Sequence, residues 1–212
     1  MGTDVSNGKI ILPLLCGGNA LYIALLGSNK EVVVDLGEHF VKQSPRNRML
    51  LDGPNGMLTL TFPVAANASK REKAGEVRLY DESRWKRQNW RSIRSCYGSS
   101  PYFSHYSDEL ESLFERKHDF LHAFNRELCE LILRWMDYPI SFSITDSYVE
   151  PGVGDFDART SIPEVITVPY VQVFNDRHPF IDGLSVLDML FNLGPSARYH
   201  PVSSATEVPG CF

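Results

Sequence analysis

The residues of this sequence best suited to bind an anion lie in two short cationic segments. Lys42, Arg46 and Arg48 fall within seven residues of one another and are interleaved with Gln43 and Asn47. The second segment holds arginines at spacings of three, four and three residues, which share one face of a helix: Arg84, Arg87, Arg91 and Arg94. Arginine binds planar anions such as carboxylate and phosphate through its bidentate guanidinium fork. Both segments therefore predict contact with an anionic group.

Each cationic segment also has a purely structural interpretation. The arginine row could be a solvated helix face whose charges pair with Glu109, Glu111 or Glu115 of the following helix. The first segment could protect an exposed strand end from pairing with another chain. The spacing alone leaves both interpretations open.

Two histidines have the spacing of a helical metal pair. His118 and His122 are four residues apart in a helical run, but residue 119 is Asp and residue 121 is Leu, so there is no HExxH motif. We expect both to face solvent without a metal. His39, next to Glu38 and near Asp35, is a further acid–base candidate. The chain has no GxGxxG, Walker A or GxSxG motif, so the sequence names neither a cofactor nor a catalytic residue.

Composition limits the class of partner. The 212 residues carry a net charge of −5, which argues against a dedicated double-stranded DNA binder and favours a small anion over a long polyanion. The four cysteines form no CxxC pair, as expected for reduced thiols in a cytoplasmic protein. The apolar run at residues 9–30 is broken by Pro13 and Gly17–Gly18, so we predict no membrane span and no signal peptide.

Secondary-structure signals predict a single α/β domain over residues 1–212, with a central, mostly parallel sheet and a helical middle segment packed on it. The runs KIILPLL and EVVVDLG read as adjacent parallel central strands joined by a short helix that Asn19 caps. Residues 42–56 read as a loop before the strand MLTLTFPV.

The rest of the chain alternates helices with short strands. Residues 83–98 predict a helix, and residues 107–137 predict one long helix capped by Ser107, because apolar residues recur every three or four positions. ISFSITDSY and TVPYVQVF read as strands, and EVRLY as a short one. GLSVLDMLFNLG reads as a closing helix between Ser185 and Gly194, before an irregular tail.

Three segments together resemble the WbqC-like family. They are residues 41–64, with the pattern K-Q-x-x-R-N-R; residues 84–114, with W-x4-W-x2-I-x3-Y and S-P-Y-F; and residues 170–195, with L-S-x-x-D-x-L-F-N-x-G-P. The resemblance runs over about residues 9–200 and is strongest to the form found in Bacteroidetes-type bacteria. The following residues occupy motif positions: Lys42, Gln43, Arg46, Asn47, Arg48, Trp85, Trp90, Tyr97, Pro101, Tyr102, Phe103, Asp188 and Asn192.

The resemblance implies a role in surface-polysaccharide or O-antigen biosynthesis, for which transfer of a glycyl or other aminoacyl group has been suggested. It carries over no catalytic residue. The family usually opens with Q-P-x-[YF]-x-P after its first strand, whereas here Leu12 replaces the glutamine and Cys16, Gly17 and Gly18 replace the aromatic residue and second proline. Asn89 stands where a histidine is often found. The departures put any substrate contact of that loop in doubt for this chain.

We therefore expect both cationic segments to flank one cleft for a small anion such as a nucleotide-sugar, with Trp85, Trp90 or Tyr102 as its wall. The function indicated is a transferase of polysaccharide biosynthesis. A non-catalytic binding protein for a glycan or nucleotide-sugar is the second possibility. Single-stranded nucleic-acid binding is a third, and the net charge of −5 disfavours it.

Overall fold

The computed structural model describes residues 8–65, 71–80, 83–160 and 165–204. Their β-strands are β1 (Ile10–Leu12), β2 (Val32–Asp35), β3 (Arg48–Gly53), β4 (Gly56–Thr61), β5 (Ser143–Thr145), β6 (Phe156–Asp157), β7 (Val165–Thr167) and β8 (Val202–Ser204). Their α-helices are α1 (Ala20–Leu26), α2 (Ser83–Tyr97), α3 (Phe103–Glu115), α4 (Leu121–Trp135) and α5 (Val186–Leu193). The helices and the parallel sheet give an α/β fold.

A four-stranded parallel sheet in the order β5-β2-β1-β6 forms the centre of the fold. Ile11 pairs with Val33 and Val34 pairs with Ile144, so β1 and β2 are adjacent, parallel and central, as their continuous apolar runs predict. Helix α1 connects them, and the predicted cap is present because Asn19 Oδ1 accepts a hydrogen bond from Tyr22 N at 2.9 Å.

The first cationic segment ends in a strand rather than staying a loop throughout. Arg48 opens β3, which pairs antiparallel with β4 in a hairpin that turns at Gly53–Gly56. Met49 and Leu51 are buried on one face of β3, whereas β4 alternates in burial as predicted. Helix α2 packs on both strands, and Asn89 Nδ2 donates to Thr61 O at 3.0 Å.

The predicted long helix is wrong because the chain leaves helical geometry at Arg116. Helix α3 begins at Phe103, before Ser107, and α4 begins only at Leu121. Between them the backbone pairs with residues 77–79: Leu79 N donates to Asp119 O at 3.0 Å, and Leu121 N donates to Val77 O at 2.9 Å. These bonds between distant segments replace the intrahelical bonds that a continuous helix would make.

Four other secondary-structure predictions are corrected or confirmed. Only Thr167 of TVPYVQVF lies in a strand, β7, which pairs with β8; residues 168–174 are irregular. EVRLY forms isolated bridges after a 3-10 turn. Helix α5 has the predicted boundaries, with Ser185 as its N-cap and Gly194 as its C-cap. Part of the predicted irregular tail is β8, and residues 205–212 lie outside the described residues.

Helices and hairpin share one buried core with the parallel sheet. An aromatic group at its centre joins the hairpin to α2 and α4, with Phe62 and Phe124 ring centroids 5.1 Å apart and Trp85 edge-on to both. Offset and edge-on ring contacts of this kind add to the stabilisation from burial. Among the described residues, each helix falls short of the length and apolar character needed to cross a membrane.

Candidate ligand-binding site

A cavity of about 550 Å³ opens beyond the carboxyl end of β1, where open parallel sheets commonly hold ligands. Three chain segments and the hairpin surround it. The lining residues are Leu15, Cys16, Gly17, Gly18, Asn19, Gln43, Ser44, Pro45, Arg48, Met49, Leu50, Thr59, Asp182, Gly183 and Ser185. The altered loop after β1, the first cationic segment and the residues before α5 thus meet at one place.

Backbone hydrogen bonds hold these segments together without a ligand. Cys16 N donates to Pro45 O at 2.9 Å, and Ser185 N donates to Leu50 O at 2.8 Å. The Ser185 hydroxyl donates to Gly17 O at 2.5 Å. Gly17 has φ +61°, and a side chain there would lie within 2.8 Å of Met49 Cε, so this position suits glycine. The cavity is therefore preformed, as small-molecule sites usually are.

Arg48 is the cation of the cavity. Its Nε is buried and has no hydrogen-bond partner among the described residues, and none of the ion pairs found there includes it. Asp182, the carboxylate of the lining, already accepts from Thr167 N at 2.9 Å and from Gly183 N at 2.7 Å. A buried donor without a partner is costly, so Arg48 is suited to bind an anion.

Cys16, Ser44 and Ser185 of the cavity are poorly placed to act as nucleophiles. Complete burial raises the pKa of the Cys16 thiol well above its usual value, which disfavours the reactive thiolate. Ser185 Oγ donates to Gly17 O, and Ser44 Oγ donates to Val41 O at 2.6 Å. The lining therefore supports binding of substrates more readily than a covalent enzyme intermediate.

Arg46 and Asn47 are buried beneath this site instead of lining it. Arg46 is only 6% exposed. Its guanidinium donates hydrogen bonds to the Glu38 carboxylate at 2.7 and 2.6 Å and to Arg159 O at 2.9 Å. Asn47 Nδ2 donates to Phe62 O at 3.3 Å. Both side chains join parts of the fold, and a ligand contact by either stays a prediction.

The two cationic segments line different depressions, so the prediction of one shared cleft is wrong. Arg87, Arg91 and Arg94 border a groove of about 470 Å³ between α2 and α3, together with Lys86, Trp90, Glu111, Phe114 and Glu115. None of these residues lines the cavity that holds Arg48. Exposed Arg84 and Lys42 border neither. The clusters separate because α2 turns its arginine face away from the cavity.

The predicted aromatic wall is mostly core. Trp85 and Trp90 are each 8% exposed, and Tyr97 is fully buried. Trp85 Nε1 donates a hydrogen bond to Tyr80 O at 2.9 Å, and Trp90 Nε1 donates one to Glu111 Oε1 at 2.7 Å. Tyr102 is 39% exposed, but its ring covers Gly194 and lines neither depression. The rings of Trp85, Trp90 and Tyr97 have little accessible surface. Their stacking on a sugar or base stays a prediction.

The prediction that His118 and His122 face solvent is wrong. His118 lies between α3 and α4, its side chain is 3% exposed, and it packs edge-on against Phe124 with ring centroids 5.4 Å apart. Its Nε2 is 3.3 Å from Glu127 Oε1. His122 is half-buried on α4. In the part of the chain that the structure describes, we find no group of three or more His, Cys, Asp or Glu side chains arranged to hold a metal.

A buried acidic network behind the cavity was missed by the sequence analysis. Asp188 Oδ2 accepts from Tyr170 Oη at 2.5 Å and from Gln172 Nε2 at 3.0 Å. Burial raises the pKa of Asp188 to about 6, although these donors and Tyr97 oppose the shift. The signal available in the sequence was an aspartate inside the apolar run LSVLDML. This network holds the irregular residues 168–174 against α5.

A second buried network joins the carboxyl ends of β2 and β6. Arg159 pairs with fully buried Asp35 and, at 2.6 Å, with Asp157. Asp35 therefore serves as a structural anion. Among the described residues, exposed His39 makes no hydrogen bond to Asp35, Asp157 or Arg159. The acid–base interpretation of Asp35 and His39 gains no support from this arrangement.

Comparison with known proteins gives one positive result. The model of the WbqC-like protein family matches residues 22–155, well over half of the chain. No curated protein and no solved structure matches the chain. The matched region includes both cationic segments and strands β2 and β5 of the central sheet, and the chain belongs to the WbqC-like protein family.

Proposed function

We propose that the chain binds a small anionic molecule of the nucleotide-sugar type in the cavity beyond β1, with Arg48 as the phosphate contact. The observation that carries this proposal is Arg48, which lines the cavity and whose Nε has no hydrogen-bond partner among the described residues. A guanidinium matches phosphate oxygens in geometry and charge. The apolar residues Leu15, Met49 and Leu50 provide a surface for the less polar part of the ligand.

We further propose that the bound molecule is a substrate in surface-polysaccharide biosynthesis in the bacterial cytoplasm, and that a small acyl or aminoacyl group is transferred to a sugar. This part rests on the family resemblance, not on the cavity. The Ser44 and Ser185 hydroxyls are hydrogen-bonded and the Cys16 thiol is buried, whereas the exposed Thr59 hydroxyl has no histidine or lysine base beside it in the described lining. Transfer would therefore run directly between two bound molecules, without a covalent link to the protein.

The binding step is tested by titration calorimetry with a panel of uridine, guanosine and thymidine diphosphate sugars. We expect Arg48→Ala to weaken binding by about tenfold or more, because a hydrogen bond to a charged group contributes roughly 1.5–3 kcal/mol. Arg91→Ala is the matched control, since Arg91 lines the other groove. The proposal fails if no nucleotide-sugar binds, or if both variants weaken binding equally.

A non-catalytic binding protein is the alternative that this cavity also supports. The two are separated by incubating the protein with the nucleotide-sugar it binds and with activated acyl or aminoacyl donors, followed by mass spectrometry of the sugar. A mass increase that requires Arg48 supports the transferase. Tight binding with an unchanged sugar across the donors supports the binding protein.

A further inference from the structure

Helix α3 has a groove on each side. The arginines of one groove form ion pairs with carboxylates of the chain, whereas those of the other groove do not. The groove toward α4, about 220 Å³, is lined by Arg116 and Arg134 among others. Arg116 pairs with Glu127 at 3.0 Å and Arg134 pairs with Glu109 at 2.5 Å. Arg126, on the same helix as Arg134, pairs with Glu130 at 2.7 Å. On this side, surface cations are matched with carboxylates within the chain.

The larger groove toward α2 has unmatched cations. Arg87, Arg91 and Arg94 line it and are exposed, and none belongs to the ion pairs found among the described residues. Glu111 and Glu115 stand on the opposite wall, and Glu111 is engaged by the Trp90 indole at 2.7 Å. The two walls of the groove therefore carry opposite charges that do not neutralise each other.

The arginine row does little for its own helix, apart from Arg94, which lies in the last turn where the helix dipole favours a cation. Like charges three or four residues apart on a helix repel one another, and α2 places three of them in succession along one edge of the groove. The apolar face that fixes α2 to the core is a different one, formed by Trp85, Ile93 and Tyr97. Arg87 and Arg91 therefore have no evident role within the described fold.

We propose that the groove between α2 and α3 is a docking site for an acidic segment of a partner protein. At a rise of about 1.5 Å per residue, the row from Arg87 to Arg94 is about 10 Å long, or two helical turns. Carboxylates one turn apart on a partner helix would match this spacing. The guanidinium fork is suited to carboxylates, and the largely buried side chains of Trp90 and Phe114 lie at the base of the groove.

The mixed charge of the groove favours a polypeptide over a nucleic acid or an acidic glycan. A uniformly charged polymer would meet Glu111 and Glu115 as well as the arginines. A peptide can direct carboxylates toward α2 and apolar or basic side chains toward α3. Because this groove shares no lining residue with the cavity at Arg48, docking here is independent of the proposed ligand.

The test uses the full chain and a fluorescent synthetic helix of about twenty-five residues, because isolated helices of about fifteen residues or fewer are only marginally stable in water. Its glutamates lie along one face beside a row of leucines, and a scrambled peptide of the same composition serves as the reference. We expect the amphipathic peptide to bind more tightly than the scrambled one. The double variant Arg87→Gln/Arg91→Gln should lose about tenfold or more in affinity, since each lost charged contact approaches a factor of ten.

The matched control is Arg126→Gln/Arg134→Gln, which removes the same charge from arginines that are already paired. Circular dichroism and thermal unfolding verify that both double variants fold. The proposal is overturned if the control loses as much affinity as the test variant, because the effect would then be general attraction. It is also overturned if the scrambled peptide binds equally well, or if a short oligothymidylate binds the groove more tightly than the peptide. Nucleotide-sugar binding by the test variant should stay at the wild-type value, which separates this result from the cavity proposal.

Discussion

Arg46 and Glu38 form a bidentate ion pair inside the protein, with Nε donating to Oε1 at 2.7 Å and Nη2 donating to Oε2 at 2.6 Å. Both side chains are less than a tenth exposed. Burial raises the pKa of Glu38, and the Arg46 charge opposes that shift. A third hydrogen bond from Arg46 reaches Arg159 O at 2.9 Å. The pair thus fastens the segment before β3 to the residues that follow β2 and β6.

Loss of Arg46 should destabilise the protein strongly. Arg46→Ala would leave the Glu38 carboxylate buried without its partner, which typically costs about 3–5 kcal/mol. We expect a loss of this size in the free energy of unfolding measured by urea denaturation at pH 7. Exposed Arg91→Ala should change it by only about 0.5 kcal/mol or less. Equal effects of the two variants would show that the pair contributes little.

Asp188 should make the protein lose stability as the pH rises from about 4 to 6. Its folded pKa is raised to about 6 by burial, above the value of about 3.9 for an unfolded aspartate. In that window the folded state holds more protons than the unfolded state, so raising the pH favours unfolding, by on the order of 2 kcal/mol. Asp188→Asn should flatten this part of the stability profile.

The control for Asp188 is Glu150→Gln, an exposed carboxylate outside both buried networks. It should leave the slope between pH 4 and 6 unchanged. An unaltered slope in Asp188→Asn would mean that this carboxyl is not the titrating group.

His178 should stabilise the fold only while it carries a proton. Its Nδ1 lies 3.1 Å from Pro179 O and its Nε2 lies 3.0 Å from Gly53 O and 3.1 Å from Asp52 Oδ1. Both ring nitrogens therefore face acceptors, and these contacts raise the pKa of His178. Its contribution is complete below the unfolded pKa of about 6.5 and is lost as the pH rises through the higher folded value.

Imidazole chemical shifts across a pH titration report the His178 pKa directly. We expect it above that of a histidine in the urea-unfolded chain. His178→Ala should lower the thermal midpoint at pH 6 and have a smaller effect at pH 9. The same loss at both values would contradict a role for the proton.

Replacing Gln43 should have opposite effects on the stability of the protein and on its ligand binding. It lines the cavity and has φ +57°, a left-handed conformation that is strained for a residue other than glycine. Gln43→Gly should raise the free energy of unfolding by up to about 1 kcal/mol if the backbone strain outweighs lost side-chain contacts. It should also weaken nucleotide-sugar binding if the amide contacts the ligand. Asp137, with φ +54° at the end of α4 and far from the cavity lining, provides the control Asp137→Gly, which should leave binding unchanged.

Local signals predicted the two central strands well because they suffice there, whereas the two-residue edge strand β6 was not predicted. The continuous apolar runs at β1 and β2 fit strands buried on both faces, and Asn19 and Ser185 cap α1 and α5 as their side-chain chemistry favours. The break between α3 and α4 was missed because helical spacing holds on both sides of it, although residues 115–119 are five consecutive polar residues. Bonds to the distant residues 77–79 decide it.

The sequence identified the cationic residues of the candidate site, but not which of them would line the same cavity. Arg46 and Arg48 are two positions apart, yet one is neutralised by Glu38, eight residues upstream, and the other borders the cavity. Spacing within a segment cannot reveal such partners. Likewise, the arginine face of α2 is evident in the sequence, whereas its direction away from β1 depends on how α2 packs on the hairpin.

The joint between α3 and α4 also has a consequence for how the chain folds. Residues 103–135 have a sequence that favours one uninterrupted helix, and they adopt two helices only where the backbone of residues 77–79 supplies Val77 O and Leu79 N. Local preference and final structure thus disagree at this one place, which is a point of frustration in an otherwise consistent sequence. Pairing with the segment around Val77 therefore selects the two-helix form over a continuous helix.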